Sequence, residues 1–103
     1  MIKTRVYSIL NDKKAKVRWK LEELNRLLNS SVQSFQDNSA AVSTLEQHIK
    51  DYPESNEQED WKRMLEVNRH DAQIHSEHID YIRQAIETIK SATTGKQLDL
   101  FSL

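Results

Sequence analysis

The sequence predicts an all-α fold, a long antiparallel two-helix coiled-coil hairpin, and three observations carry that expectation. Apolar residues recur at alternating spacings of four and three over most of the chain, a single Pro interrupts the pattern once, and the composition leaves little material for turns or a thick core. The 103 residues include one Gly and one Pro, 30% of them are charged and 7% are aromatic, and the mean hydropathy is -0.78. That balance suits exposed helices whose buried surface is a linear seam between them.

The chain opens on a basic arm. Residues 1–20 hold seven bases (Lys3, Arg5, Lys13, Lys14, Lys16, Arg18, Lys20) and one acid, Asp12, so the arm carries +6 and the rest of this chain of formal charge -1 carries -7. Such an arm can meet DNA, an anionic surface or an acidic partner, or can be a solvated face balanced by the acidic body. Lys13, Lys14, Lys16, Arg18 and Lys20 are the candidate contacts. Trp19 among these bases could stack on a nucleobase or sit at a membrane surface. The favoured reading has it cover the open end of the helical seam, because large apolar side chains bury where a surface is available.

A first helix is expected over about 12–52, with Asn11 as its cap and residues 1–10 as a separate short helix or arm. Its stripe runs through Tyr7, Leu10, Lys14, Val17, Leu21, Leu24, Leu28, Ser31, Phe35, Asn38, Val42, Leu45, Ile49 and Tyr52. The Asp37-Asn38-Ser39 triplet and the Ser43–Glu46 box could each interrupt it, yet the stripe resumes in phase, which favours a continuous helix. Pro53 ends it, and residues 53–56 make a turn too short for anything but an antiparallel neighbour.

The second helix, about 56–94, carries the cleaner seam: Trp61, Leu65, Asn68, Ala72, His75, Ile79, Ile82, Ile86 and Ile89. Ser55 with Gln58 can form a capping box, and Glu57, Glu59 and Asp60 suit the helix's positive end. Gly95 is a natural stop. Folding the two seams about the turn places Ile49 near Leu65, Leu45 near Asn68, Val42 near Ala72, Phe35 near Ile79, Leu28 near Ile86 and Leu24 near Ile89. Asn38 and His75 would then share one polar layer that fixes register. The same folding leaves residues 1–20 beyond the end of the second helix, with no partner but the C-terminal tail. Val32, Val67, Ile74 and Tyr81 stay off the seam, which points to a homodimer in the form of a four-helix bundle, or to docking on a partner.

Several function classes are disfavoured. Without Cys there are no disulfides and no thiolate metal sites, which fits a reducing, cytoplasmic setting; no apolar run reaches membrane-spanning length and the basic N-terminus lacks a signal-peptide core. A chain with one Gly has no glycine-rich phosphate loop. Carboxylates on exposed helices have no pocket to tune them, so neither an enzyme nor a small-molecule substrate is expected. Asp71, His75 and His78 share a face at a spacing that can chelate zinc, but further ligands are missing, so no metal and no cofactor is expected.

The residues after the helical pattern, 95–103, form the expected tail, which reads Lys96-Gln97-Leu98-Asp99-Leu100-Phe101-Ser102-Leu103 after Gly95. Its segment Gln97-Leu98-Asp99-Leu100-Phe101 resembles the consensus pentapeptide by which bacterial replication and repair proteins bind the DNA polymerase sliding clamp: Gln, Leu, Ser or Asp, Leu, Phe. All five positions match, and chance would supply such a run in roughly one window in a few hundred thousand. The resemblance implies that Leu100 and Phe101 enter an apolar pocket of the clamp, that Gln97 anchors the other end, and that Leu98, Asp99 and Leu103 support the contact. The alternative is that Leu98, Leu100, Phe101 and Leu103 fold back over the open end of the hairpin, near Leu10, Val17 and Trp19.

The expected function is therefore a non-enzymatic adaptor or regulator of DNA replication or repair, of host, phage or plasmid origin, that binds the sliding clamp through its tail. The hairpin also resembles, without a diagnostic motif, the helical-hairpin stalk proteins of flagellar and type III export machines. An export adaptor or structural coiled coil is accordingly the alternative.

Overall fold

The computed structural model describes residues 2–94. Three helices account for the regular structure: α1 Ile2–Leu10, α2 Val17–Asp51 and α3 Gln58–Thr94. The described residues contain no strand, and α2 and α3 pack as an antiparallel hairpin, so the all-α hairpin is observed. The continuous helix favoured by the in-phase stripe is observed, since α2 runs through Asp37–Ser39 and Ser43–Glu46 unbroken over 35 residues. By packing, the chain divides into two compact units, Met1–Ser30 with His78–Leu103, and Ser31–Glu77.

In the Ser31–Glu77 unit the sequence closes the hairpin. Pro53 denies α2 another backbone donor, and the chain turns between Asp51 and Gln58. The expected capping box does not form. Ser55 Oγ accepts the amide of Glu57 at 3.1 Å, while the Gln58 side chain turns back and donates to the carbonyls of Ile49 at 3.0 Å and Tyr52 at 2.7 Å. Those carbonyls lie at and just past the end of α2, where helical partners run out and Tyr52 otherwise accepts only the Ser55 amide, so Gln58 serves the preceding helix instead of its own.

Leu45 and Leu65 are the buried apolar side chains of this unit, and Arg69 crosses to Glu46 at 2.7 Å. The polar layer differs from the expected one. Asn38 Nδ2 donates to Asn68 Oδ1 at 3.0 Å, and Asn68 Nδ2 donates to the carbonyl of Met64 at 2.9 Å. Asn38 thus meets Asn68, one heptad before His75. One amide donates to the other, whose own donor is taken by the backbone, an arrangement that seam periodicity cannot distinguish from an amide–imidazole layer.

In the other unit, α1 supplies what the hairpin lacks. Val6 and Ile9, at 0% and 1% exposure, join Leu24, Ile82, Ala85, Ile86 and Ile89 in one core, with Ile2, Leu10, Val17, Leu21, Leu27, Leu28 and Tyr81 packed around it. The expectation that residues 1–20 find no partner but the tail is thereby corrected. Ile2, Val6, Ile9 and Leu10 fall on one helical face, and the chain reverses between Leu10 and Val17 to lay that face on α2 and α3.

The reversal is built locally. Asn11 does not cap a helix that follows it: its backbone amide and its side-chain Nδ2 both donate to the carbonyl of Tyr7, at 3.0 and 2.9 Å, and close α1. Asp12 Oδ1 then accepts the amides of Lys14 at 3.0 Å and Ala15 at 3.2 Å, a side-chain turn that competes with helix formation. The carbonyl of Lys16 accepts the amide of Lys20, so α2 starts at Val17 and not at Asp12. Tyr7 and Lys14, both expected on the seam, are consequently exposed.

Candidate functional site

The expected clamp-binding residues, Gln97, Leu98, Asp99, Leu100, Phe101 and Leu103, lie outside the described residues. α3 extends to Thr94, three positions before the pentapeptide begins.

The five expected anion-contacting bases separate into two groups. Lys13, Lys14 and Lys16 sit on the connection between α1 and α2, are exposed, and make no ion pair with a described residue. Arg18 pairs with Glu22 at 3.1 Å on the surface of α2. Lys20 Nζ donates to the carbonyl of Leu10 at 3.0 Å and so helps hold the end of α1. Two further bases of the arm also face inward contacts: Arg5 pairs with Glu23 at 3.3 Å, and Lys3 Nζ lies 5.6 Å from the centroid of the Tyr81 ring. About half of the arm's charge is thus engaged in seating α1, leaving a short Lys-Lys-Ala-Lys loop facing solvent.

Glu23 is the acid that this arrangement perturbs. Its hydrogen bond from Arg26 is the largest effect, and the Arg26 charge and Arg5 add to it. Together they outweigh partial desolvation and hold the carboxyl below the usual carboxylate range.

Trp19 does not cover the open end of the seam. It stands 38% exposed on the first turn of α2, beside the lysine loop. Of the off-seam residues, Val67 is exposed, with Met64 one turn before it on α3, whereas Tyr81 packs against the core beneath Lys3. Among the described residues no group of three or more His, Asp or Glu gathers as metal ligands. No helix there is long and apolar enough to cross a membrane.

A second site lies at the hairpin turn, where seam reasoning treats Tyr52 and Trp61 only as packing positions. His48, Tyr52 and Trp61 gather their rings: His48 to Trp61 at 5.5 Å, His48 to Tyr52 at 6.2 Å and Tyr52 to Trp61 at 6.3 Å between centroids. The signal was in the sequence, in the four-residue spacing of His48 and Tyr52 and in a Trp opening the next helix, though only a structure shows that the turn brings them together.

Compared with family models, curated proteins and solved structures, the chain matches none.

Proposed function

We propose that this protein is a non-enzymatic, cytoplasmic adaptor or regulator in bacterial, phage or plasmid DNA replication or repair, binding the DNA polymerase sliding clamp through Gln97–Phe101. The observation that carries the reading is the five-for-five agreement of that pentapeptide with the clamp-binding consensus.

In this reading Leu100 and Phe101 enter the clamp's apolar pocket, and Gln97 fixes the peptide's other end through its amide. Leu98, Asp99 and Leu103 assist. A solitary peptide of this length must offset its own ordering, so its affinity falls in the micromolar range, at roughly -7 to -8 kcal/mol. A homodimer, with Met64 and Val67 as its exposed apolar positions, would raise that by avidity on a ring-shaped partner. The Lys13, Lys14 and Lys16 loop, with Trp19 beside it, would then contact the DNA that a clamp encircles.

Pull-down with purified bacterial sliding clamp tests the assignment. Intact protein is retained, and the Leu100→Ala/Phe101→Ala variant is lost. Equal retention of the two rejects the tail as the contact.

A further inference from the structure

The hairpin turn offers chemistry that clamp binding does not use. His48 and Tyr52 stand one helical turn apart at the end of α2, Trp61 comes from the first turn of α3, and with Ser55 and Glu57 they line an open hollow of about 280 Å³. The surrounding segment 50–63 contains five acids, Asp51, Glu54, Glu57, Glu59 and Asp60, against three bases, Lys50, Lys62 and Arg63, a net charge of -2. Two of these acids are occupied, Asp51 by the Gln47 amide at 2.8 Å and Asp60 by Arg63 at 3.4 Å. The Glu57 carboxylate makes no ion pair with a described residue although it borders the hollow.

Aromatic faces carry partial negative charge and attract cations, and a carboxylate beside them adds to the same field. An anionic ligand would meet Glu57 and the net negative charge of this segment. A purely apolar one would strip water from Glu57 with nothing in return. A bare metal ion would find no set of three ligands among the described residues. We propose that this hollow recognises a cationic side chain presented by a basic segment of a partner protein. Arginine fits better than lysine, because its planar guanidinium stacks on rings while its forked donors meet Glu57. The site is independent of the tail, so the two contacts would let the protein bridge a clamp and a second, basic partner.

Fluorescence titration of the full chain decides the matter. Trp19→Phe leaves Trp61 as the only Trp reporter, and the probe is a synthetic peptide of alternating Arg and Gly, with a Glu and Gly peptide of equal length as control. The Trp61 emission changes saturably with the basic peptide and not with the acidic one. Tyr52→Ala and Glu57→Gln, both at exposed positions, each raise Kd by about twofold to fivefold with the helical circular dichroism unchanged. Deletion of 96–103 leaves the binding intact. The proposal is overturned by the absence of a saturable response, by an unchanged Kd in the Tyr52→Ala/Glu57→Gln double variant, or by loss of the response on deleting the tail.

Discussion

Replacing Ile9 by Ala probes whether α1 is an integral part of the fold. Ile9 is 1% exposed and shares a core with Val6, Leu24, Ile82 and Ile86. The substitution removes three carbons, and at about 0.8 kcal/mol per buried methylene the lost transfer free energy is roughly 2.4 kcal/mol. The cavity left behind brings the total to about 2.5–4 kcal/mol if the surroundings hold their places. A helix of nine residues is below the ~12–15 that persist alone in water, so α1 depends on this docking. Urea denaturation gives the stability change, and hydrogen exchange at the amides of residues 6–10 reports whether α1 has come away. Tyr7→Ala, on the exposed face of the same helix, is the control and shifts stability by no more than about 0.5 kcal/mol. If Ile9→Ala and Tyr7→Ala cost the same, with exchange in α1 unaffected, the argument that α1 closes the hairpin end is wrong.

Other perturbations reach the remaining features. Asn68→Ala leaves the Asn38 amide without its acceptor and costs about 1–3 kcal/mol, whereas Asn38→Leu/Asn68→Leu comes out near neutral or better, as read from urea midpoints. A double replacement as costly as the single would show that the amide pair is not the polar layer of this seam. Gln58→Ala exposes the Ile49 and Tyr52 carbonyls and destabilises by about 0.5–1.5 kcal/mol; an unchanged urea midpoint would mean that water replaces the cap without loss. Because the folded protein holds Glu23 below the usual carboxylate range, its contribution is complete above the unfolded pKa of about 4.3 and disappears as pH falls through the lowered folded value. The Tm difference between the protein and Glu23→Gln should therefore shrink on acidification below about pH 4.5, and a pH-independent difference would contradict the assignment. Contact of the lysine loop with duplex DNA predicts a log–log salt slope of about -2 to -3 for three phosphates. Lys13→Gln/Lys14→Gln/Lys16→Gln should flatten that slope, and binding that ignores salt would exclude the contact.

The hairpin was legible because its determinants are local or periodic. The strict seam from Trp61 to Ile89, Pro53 as the interruption and the short turn were enough to require two antiparallel helices, and the in-phase stripe carried α2 through its polar stretches. The proposed role of 97–101 rests on the sequence alone, because recognition of an extended peptide depends on side-chain identity in order.

What periodicity could not reveal was where a short segment turns back. Tyr7, Leu10, Lys14 and Val17 continue the first stripe in phase, yet the buried residues of α1 are Val6 and Ile9. Once the chain reverses, the phase of one helix carries no information about the face of the next. Asn11, Asp12 and Gln58 illustrate the same limit, for each is a capping residue whose partner is chosen by which backbone groups the fold leaves unsatisfied nearby. The sequence by itself determined the helices, the hairpin and the order of charges along the chain. Tertiary structure decided which bases are spent on seating α1, which lysines stay in solvent, and that three rings from either side of a turn face one hollow, because those outcomes depend on distances between residues that no periodic pattern encodes.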